Sequence, residues 1–168
     1  MKKIRITFIC CCIILFAGCL LGCRSATQDC LRIHIRANSN LNCDQAVKYQ
    51  VRDQVVDYLT PKLKNCQTKD EALDVIRQNE SAVKALIDAL LKQKGFNYTC
   101  KISFKNEYFP TRVYEDVTLK EGLYEAIIIE LGQGVGDNWW CIVYPNLCFA
   151  GDGDVEYRSK IWEIINNL

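Results

Sequence analysis

The chain has 168 residues, 49% of them apolar and 24% charged, with 21 basic residues, 20 acidic ones and a net charge of +1. That suffices for one domain with its own core, in the composition range of folded globular proteins. The first 23 residues hold Lys2, Lys3 and Arg5 and no acid, so the remainder carries 18 basic and 20 acidic residues, net −2. A weakly acidic body lacks the basic stripe that nucleic acid requires, which argues against that class of partner.

The N-terminus reads as an export signal. Met1 to Arg5 is a basic n-region, and Ile6 to Gly22 follows without a charge. It ends Leu20-Leu21-Gly22-Cys23, which resembles a bacterial lipobox with Cys23 as the lipidation site; Phe16-Ala17-Gly18-Cys19 is a poorer version. A cleaved signal peptide and an uncleaved N-terminal anchor are the other forms, although this apolar run is short for a bilayer span. The folded domain is expected over residues 30–168. It holds six cysteines, Cys30, Cys43, Cys66, Cys100, Cys141 and Cys148, an even number that suggests pairing outside the cytoplasm. None has Cys-x-x-Cys spacing, which disfavours a zinc or thioredoxin-like site, and Cys100 suits a small buried thiol.

Cys30 to Arg36 predicts a strand with Leu31, Ile33 and Ile35 on one face and Arg32, His34 and Arg36 on the other. Ala37 to Asn40 is a turn cluster. Asn42-x-x-Gln45 reads as a capping box opening a helix to about Leu59, which Pro61 would stop or offset. Thr68-x-x-Glu71 opens a second helix carrying Ala72, Leu73 and Ile76. A third, from about Ser81 to Lys94, buries Val83, Leu86, Ile87, Leu90 and Leu91 and stops at Gly95.

After Gly95 the period changes to two. Tyr98, Cys100, Ile102 and Phe104 alternate with polar residues in a half-buried strand. Leu123 to Leu131, apolar on both faces around Ala126 to Ile129, reads as a central strand. The turn Gly132 to Asn138 leads to Trp139–Tyr144, expected as its hairpin partner. Tyr157 to Leu168 closes the chain as a helix or strand. The fold class is α+β: a mixed, largely antiparallel sheet of about four strands packed against about three to four helices.

A catalytic site is hard to assemble. His34 is the single histidine, so a Cys-His or Ser-His nucleophile must use it, and the flanking arginines disfavour its charged form. Gly132, Gly134 and Gly136 fail a dinucleotide fingerprint because Asp137 stands where glycine is needed. Asp152, Asp154 and Glu156 lack the rest of a calcium loop. No cofactor or metal is expected. On a helical wheel with Val47 at zero, Arg52 falls at about 140°, inside the apolar arc, and calls for an ion-pair partner. Trp139 and Trp140 must point to opposite faces of their strand, one filling the core and the other available as an interface anchor. Cys141 in its strand and Cys148 beyond Pro145 are expected within disulfide range.

Several blocks resemble the stage II sporulation protein R family: Arg36-Ala37-Asn38-Ser39, Asp44-Gln45, Val51-Arg52-Asp53, and Phe109-Pro110-Thr111-Arg112-x-Tyr114. The most specific stretch is Gly122-x-Tyr124-Glu125-Ala126, then Gly132-x-Gly134-x-Gly136-x-Asn138-Trp139-Trp140-Cys141 and Tyr144-Pro145-x-Leu147-Cys148-Phe149. Lys120-Glu121, Asn146 and Asn40 depart from the family's usual residues, at turn positions.

The resemblance implies a secreted signalling role in endospore formation. Family members are exported from the forespore into the space between forespore and mother cell membranes. There they trigger a membrane-embedded aspartic protease, the sigma-E factor processing peptidase, and so act as protease activators without catalysing a reaction. Membrane attachment would come through the signal or a lipid anchor. Two other readings are an extracytoplasmic lipoprotein binding a small ligand and a Cys/His-type cell-envelope hydrolase. For a signalling surface, the turn at Asn38 and Ser39 and the glycine turn could share one edge of the sheet. Arg36, Arg112 and Trp139 or Trp140 would stand beside them as anchors.

Overall fold

The computed structural model describes residues 30–114 and 117–145. The leader at 1–23, Cys148, the acidic turn after Gly151 and the closing segment from Tyr157 lie outside the described residues. Six strands and two helices follow in order: β1 (Leu31–Arg36), α1 (Asn42–Leu63), α2 (Lys69–Gln93), β2 (Cys100–Phe109), β3 (Arg112–Tyr114), β4 (Val117–Leu119), β5 (Gly122–Leu131) and β6 (Asn138–Tyr144).

β1, β2, β5 and β6 form one sheet in the order β2-β5-β1-β6, while β3 and β4 pair as a separate ribbon. β1 runs parallel to β5, with Ile33 opposite Ile127, and antiparallel to β6. The mixed, largely antiparallel sheet is as expected, and β5 is internal, as its doubly apolar sequence requires. The hairpin expectation is corrected. β1 lies between β5 and β6, so the glycine turn bridges over the end of β1 and joins non-neighbouring strands.

Both helices cover one face of the sheet. Val47, Val51, Val55 and Leu59 of α1 and Ile76, Val83, Ile87 and Leu91 of α2 pack on Leu31, Ile33, Ile35, Ile127 and Ile129. Truncating one such buried aliphatic side chain to alanine costs about 2–5 kcal/mol. The other face carries Phe109, Tyr124, Ala126, Ile128 and Ile142 around Cys30, with the β3–β4 ribbon supplying Leu119 and Tyr114.

The expected three to four helices become two among the described residues. α2 runs unbroken from Lys69 to Gln93 because its apolar stripe continues from Ile76 to Val83 and the polar stretch between has no glycine or proline. Asn79, an unfavourable residue in mid-helix, is satisfied there. Its Nδ2 donates to the Val75 carbonyl (2.8 Å) and its Oδ1 accepts from the Tyr58 hydroxyl of α1 (3.0 Å).

The Thr68 cap forms as read, with Thr68 Oγ1 accepting from Glu71 N (3.1 Å), while the Glu71 carboxylate closes on Gln67 N (2.8 Å), one residue before the N-cap, and not on Thr68 N. At the other end Gly95, with φ of 81°, closes a Schellman motif. Its N–H bonds to the Lys92 carbonyl and that of Phe96 to Leu91. Pro61 does not stop α1, which continues through it for its final turn and buries Leu63. The Asn42-x-x-Gln45 box is not made: Leu41 is the N-cap, without a side-chain cap. Gln45 reaches back instead to the Ser39 carbonyl (2.9 Å).

The cysteine arithmetic is also corrected. Cys43, Cys66 and Cys100 are free thiols, Cys43 exposed on α1 and the other two buried. Cys141 is disulfide-bonded, with its other half outside the described residues. Burial and neighbouring Asp88 push the Cys100 thiol up to about 12, so it stays protonated and behaves as a core residue.

Candidate functional site

The turn after β1 and the turn before β6 meet at one end of the sheet. Gly136 N donates to the Ala37 carbonyl (2.9 Å), Gln133 N to Asn38 Oδ1 (3.0 Å) and Asp137 N to Asn40 Oδ1 (2.6 Å). A Cβ at Gly136 would collide with the Ser39 carbonyl, so only glycine allows this approach. The first turn of α1 locks the junction. The Asp44 carboxylate accepts from Asn38 Nδ2 (2.9 Å), Ser39 Oγ (2.5 Å) and the Tyr98 hydroxyl (2.6 Å). Lys48 Nζ donates to the Asp137 carbonyl (3.1 Å) and Gln45 Oε1 (2.7 Å).

The buried charges of α1 are Asp44 and Lys48, both under 4% exposed, and not Arg52. Arg52 pairs with its neighbour Asp53 (2.6 Å), stacks near Tyr49 and Trp139, and keeps a third of its side chain exposed. The helical wheel held the signal. On the scale that puts Arg52 at about 140°, Asp44 falls at about 60° and Lys48 at about 100°, nearer the middle of the apolar arc.

The partner candidates divide into two groups. Asn38 and Ser39 are committed to the turn junction. Arg36 is an internal ion-pair partner, donating to Glu130 (2.8 Å) and Glu107 (2.5 Å). Glu107 also meets His34 Nδ1 (2.7 Å) and Lys105 (3.2 Å). Burial alone would raise the Glu107 pKa, but the bonds from Arg36, His34 and Lys105 outweigh it and hold the carboxyl below its usual range. Burial pushes the His34 imidazole down, against the pull of Asn138 and Glu107.

Trp139 and Trp140 point to opposite faces, as alternation demands. Trp139 packs against the helix-covered core, and half-buried Trp140 lies on the other face beside the ring of His34. The Arg112 guanidinium stacks 4.1 Å from the centre of the Trp140 ring. Arg112 and Trp140 therefore form a half-exposed cation–π pair, with no carboxylate in ion-pair reach of Arg112 among the described residues.

Glu107 orients the His34 ring through Nδ1, as a carboxylate does in a hydrolase, but Nε2 is buried with no hydroxyl or thiol bonded to it among the described residues. His34 bonds to Glu107, and its ring faces Phe109 and Trp140. Among the described residues no cluster of His, Cys, Asp and Glu could hold a metal ion, and no helix is long and apolar enough to cross a membrane.

The family model for stage II sporulation protein R matches residues 27–153, which takes in every element described above. The chain belongs to the stage II sporulation protein R family. It is 37% identical over 122 residues to the stage II sporulation protein R of Bacillus subtilis (strain 168), covering 73% of this chain and 54% of that protein. The chain thus spans about half the length of that curated relative. No solved structure matches. Within the stage II sporulation protein R match, the Asn38–Ser39 turn, the glycine turn and the Arg112–Trp140 pair all come from the family-like blocks of the sequence.

Proposed function

We propose that this member of the family is an exported signalling protein of endospore formation. It acts by binding the extracytoplasmic part of the membrane-embedded sigma-E factor processing peptidase, so triggering processing of the sigma-E precursor, and it catalyses nothing itself. Its place is the space between forespore and mother cell membranes, reached through the leader at 1–23 and, in the lipid-anchored form, held there through Cys23. The observation that carries this reading is the family match across residues 27–153. The environment of His34, enclosed by aromatic rings and with no hydroxyl or thiol bonded to Nε2 among the described residues, supports a binding role over a hydrolase. In the same reading Cys148 is the disulfide partner of Cys141, which closes a short loop after β6.

The geometry narrows the contact residues. Asn38, Ser39 and Arg36 hold the fold together, so Arg112 and Trp140 are the anchors that touch the partner. Arg112→Ala and Trp140→Ala should each reduce sigma-E precursor processing at least tenfold, with exported level and melting temperature close to those of the parent. If each loss of processing comes with a matching loss of folded protein, the contact lies elsewhere.

A further inference from the structure

Arg32 stands out on the second face of the sheet. It is 0% exposed, at the second position of β1. The guanidinium lies 4.2 Å from the ring centre of Phe109, 4.9 Å from that of Tyr124 and 5.7 Å from that of Tyr114. Nη2 donates to the Tyr114 hydroxyl (2.6 Å). Nε and Nη1 are buried with no hydrogen-bond partner, and no carboxylate lies in ion-pair reach among the described residues.

The allocation of acids is the reverse of what stability alone would select. Arg36, partly exposed and four residues along the same strand, has two carboxylates, Glu107 and Glu130. Arg32, fully buried, has none. A second guanidinium, that of Arg112 stacked on Trp140, likewise has a buried Nε without a partner. The Tyr114 hydroxyl accepts from Arg32 and donates to the carbonyl of Trp140 (3.4 Å), the residue on which Arg112 stacks. An unpaired buried guanidinium is costly, and its donors match a planar carboxylate.

We propose that the idle guanidinium donors of Arg32 form a carboxylate-binding site beneath the β3–β4 ribbon, which carries Tyr114 and Arg112 over it. The ribbon is suited to act as its cover. β3 and β4 pair with each other and not with the main sheet, and Tyr114, Arg112 and Leu119 are what they set against it. Lifting the ribbon releases Nη2 from Tyr114 and gives it to the incoming anion together with the idle donors. The aromatic walls favour a monoanionic carboxylate over a phosphate, whose further charge would find no donor among them. The carboxylate belongs either to a small free acid or to an Asp or Glu side chain on a partner. The site stands on this geometry and not on the proposed signalling role.

Thermal melting of the full chain tests it, with sodium acetate titrated against sodium chloride at equal ionic strength. The parent should gain melting temperature saturably with acetate, and Arg32→Met should show no acetate-specific gain while melting at or above the parent. A glutamate-rich peptide and its glutamine counterpart separate the sources. Stabilisation by the glutamate peptide alone assigns the site to a partner side chain, and stabilisation by acetate as well assigns it to free acids too. Should Arg32→Met fail to fold, Tyr114→Phe replaces it, and its acetate response should saturate at a severalfold lower concentration. The proposal is overturned if acetate and the glutamate peptide act equally on parent and Arg32→Met. An acetate response in Tyr114→Phe identical to the parent's overturns it as well.

Discussion

Glu107, Asp44 and His34 are each placed so that acid weakens the fold. For Asp44, burial alone would raise the pKa, but the bonds from Ser39, Tyr98 and Asn38 outweigh it and hold it below the ordinary 3.8. Glu107 is held below its ordinary 4.5 and His34 below 6.5. In every case the unfolded chain takes up its proton first as the pH falls, so stability present at neutral pH is lost on acidification. The denaturant midpoint should decline gently below about pH 6.5, where His34 begins to charge in the unfolded chain, and steeply below about pH 4.5. Glu107→Gln should flatten part of the steep limb. A midpoint unchanged from about pH 7 to about pH 3 would contradict this assignment of buried carboxylates.

The secondary elements show where local sequence speaks and where packing overrides it. Thr68 with Glu71, and Gly95 after α2, were legible because each cap uses side chains or backbone within a few residues. The break expected between Ile76 and Ser81 was not real, since Asn79 borrows a partner from α1 that no local window contains. Asn42-x-x-Gln45 looked like a cap for a related reason: Gln45 does reach backward, but to Ser39. The hairpin failed because strand order is a property of the whole sheet, and a glycine-rich turn bridges over a strand as readily as it joins neighbours.

The junction of the two turns supplies a test at this scale. Gly136→Ala sets a methyl group against the Ser39 backbone, which cannot swing aside like a side chain. Such overpacking costs about 1–3 kcal/mol. Chemical denaturation should show that loss, and substitution at exposed Val135 in the same turn should show almost none. Equal effects at the two positions would mean the turns do not depend on close approach.

At the scale of the whole molecule, the sheet separates two tasks. One face is a conventional apolar core under α1 and α2. The other brings Arg32, His34, Arg36 and Trp140 together with Glu107, Tyr114 and Arg112, residues drawn from four parts of the chain. The alternation in β1 announced a face carrying two arginines and a histidine. It could not tell that this face is buried, because its cover comes from β2, β5 and the ribbon, about 70 or more residues away in the chain. The acids that neutralise Arg36 were invisible for the same reason. Family motifs located the contact candidates, and only the tertiary arrangement divided them among the turn junction, the Arg36 ion pairs and the Arg112–Trp140 stack.

The central claim is that the chain signals by binding, through Arg112 and Trp140. The direct measurement is co-purification of the full chain with the extracytoplasmic region of the sigma-E factor processing peptidase, using parent, Arg112→Ala and His34→Ala proteins whose melting temperatures are recorded alongside. The account predicts a complex with the parent, loss of that complex with folded Arg112→Ala, and retention with any His34→Ala protein that folds. Equal binding by parent and Arg112→Ala would contradict it, as would processing activity that disappears in a folded His34→Ala protein whose binding is intact.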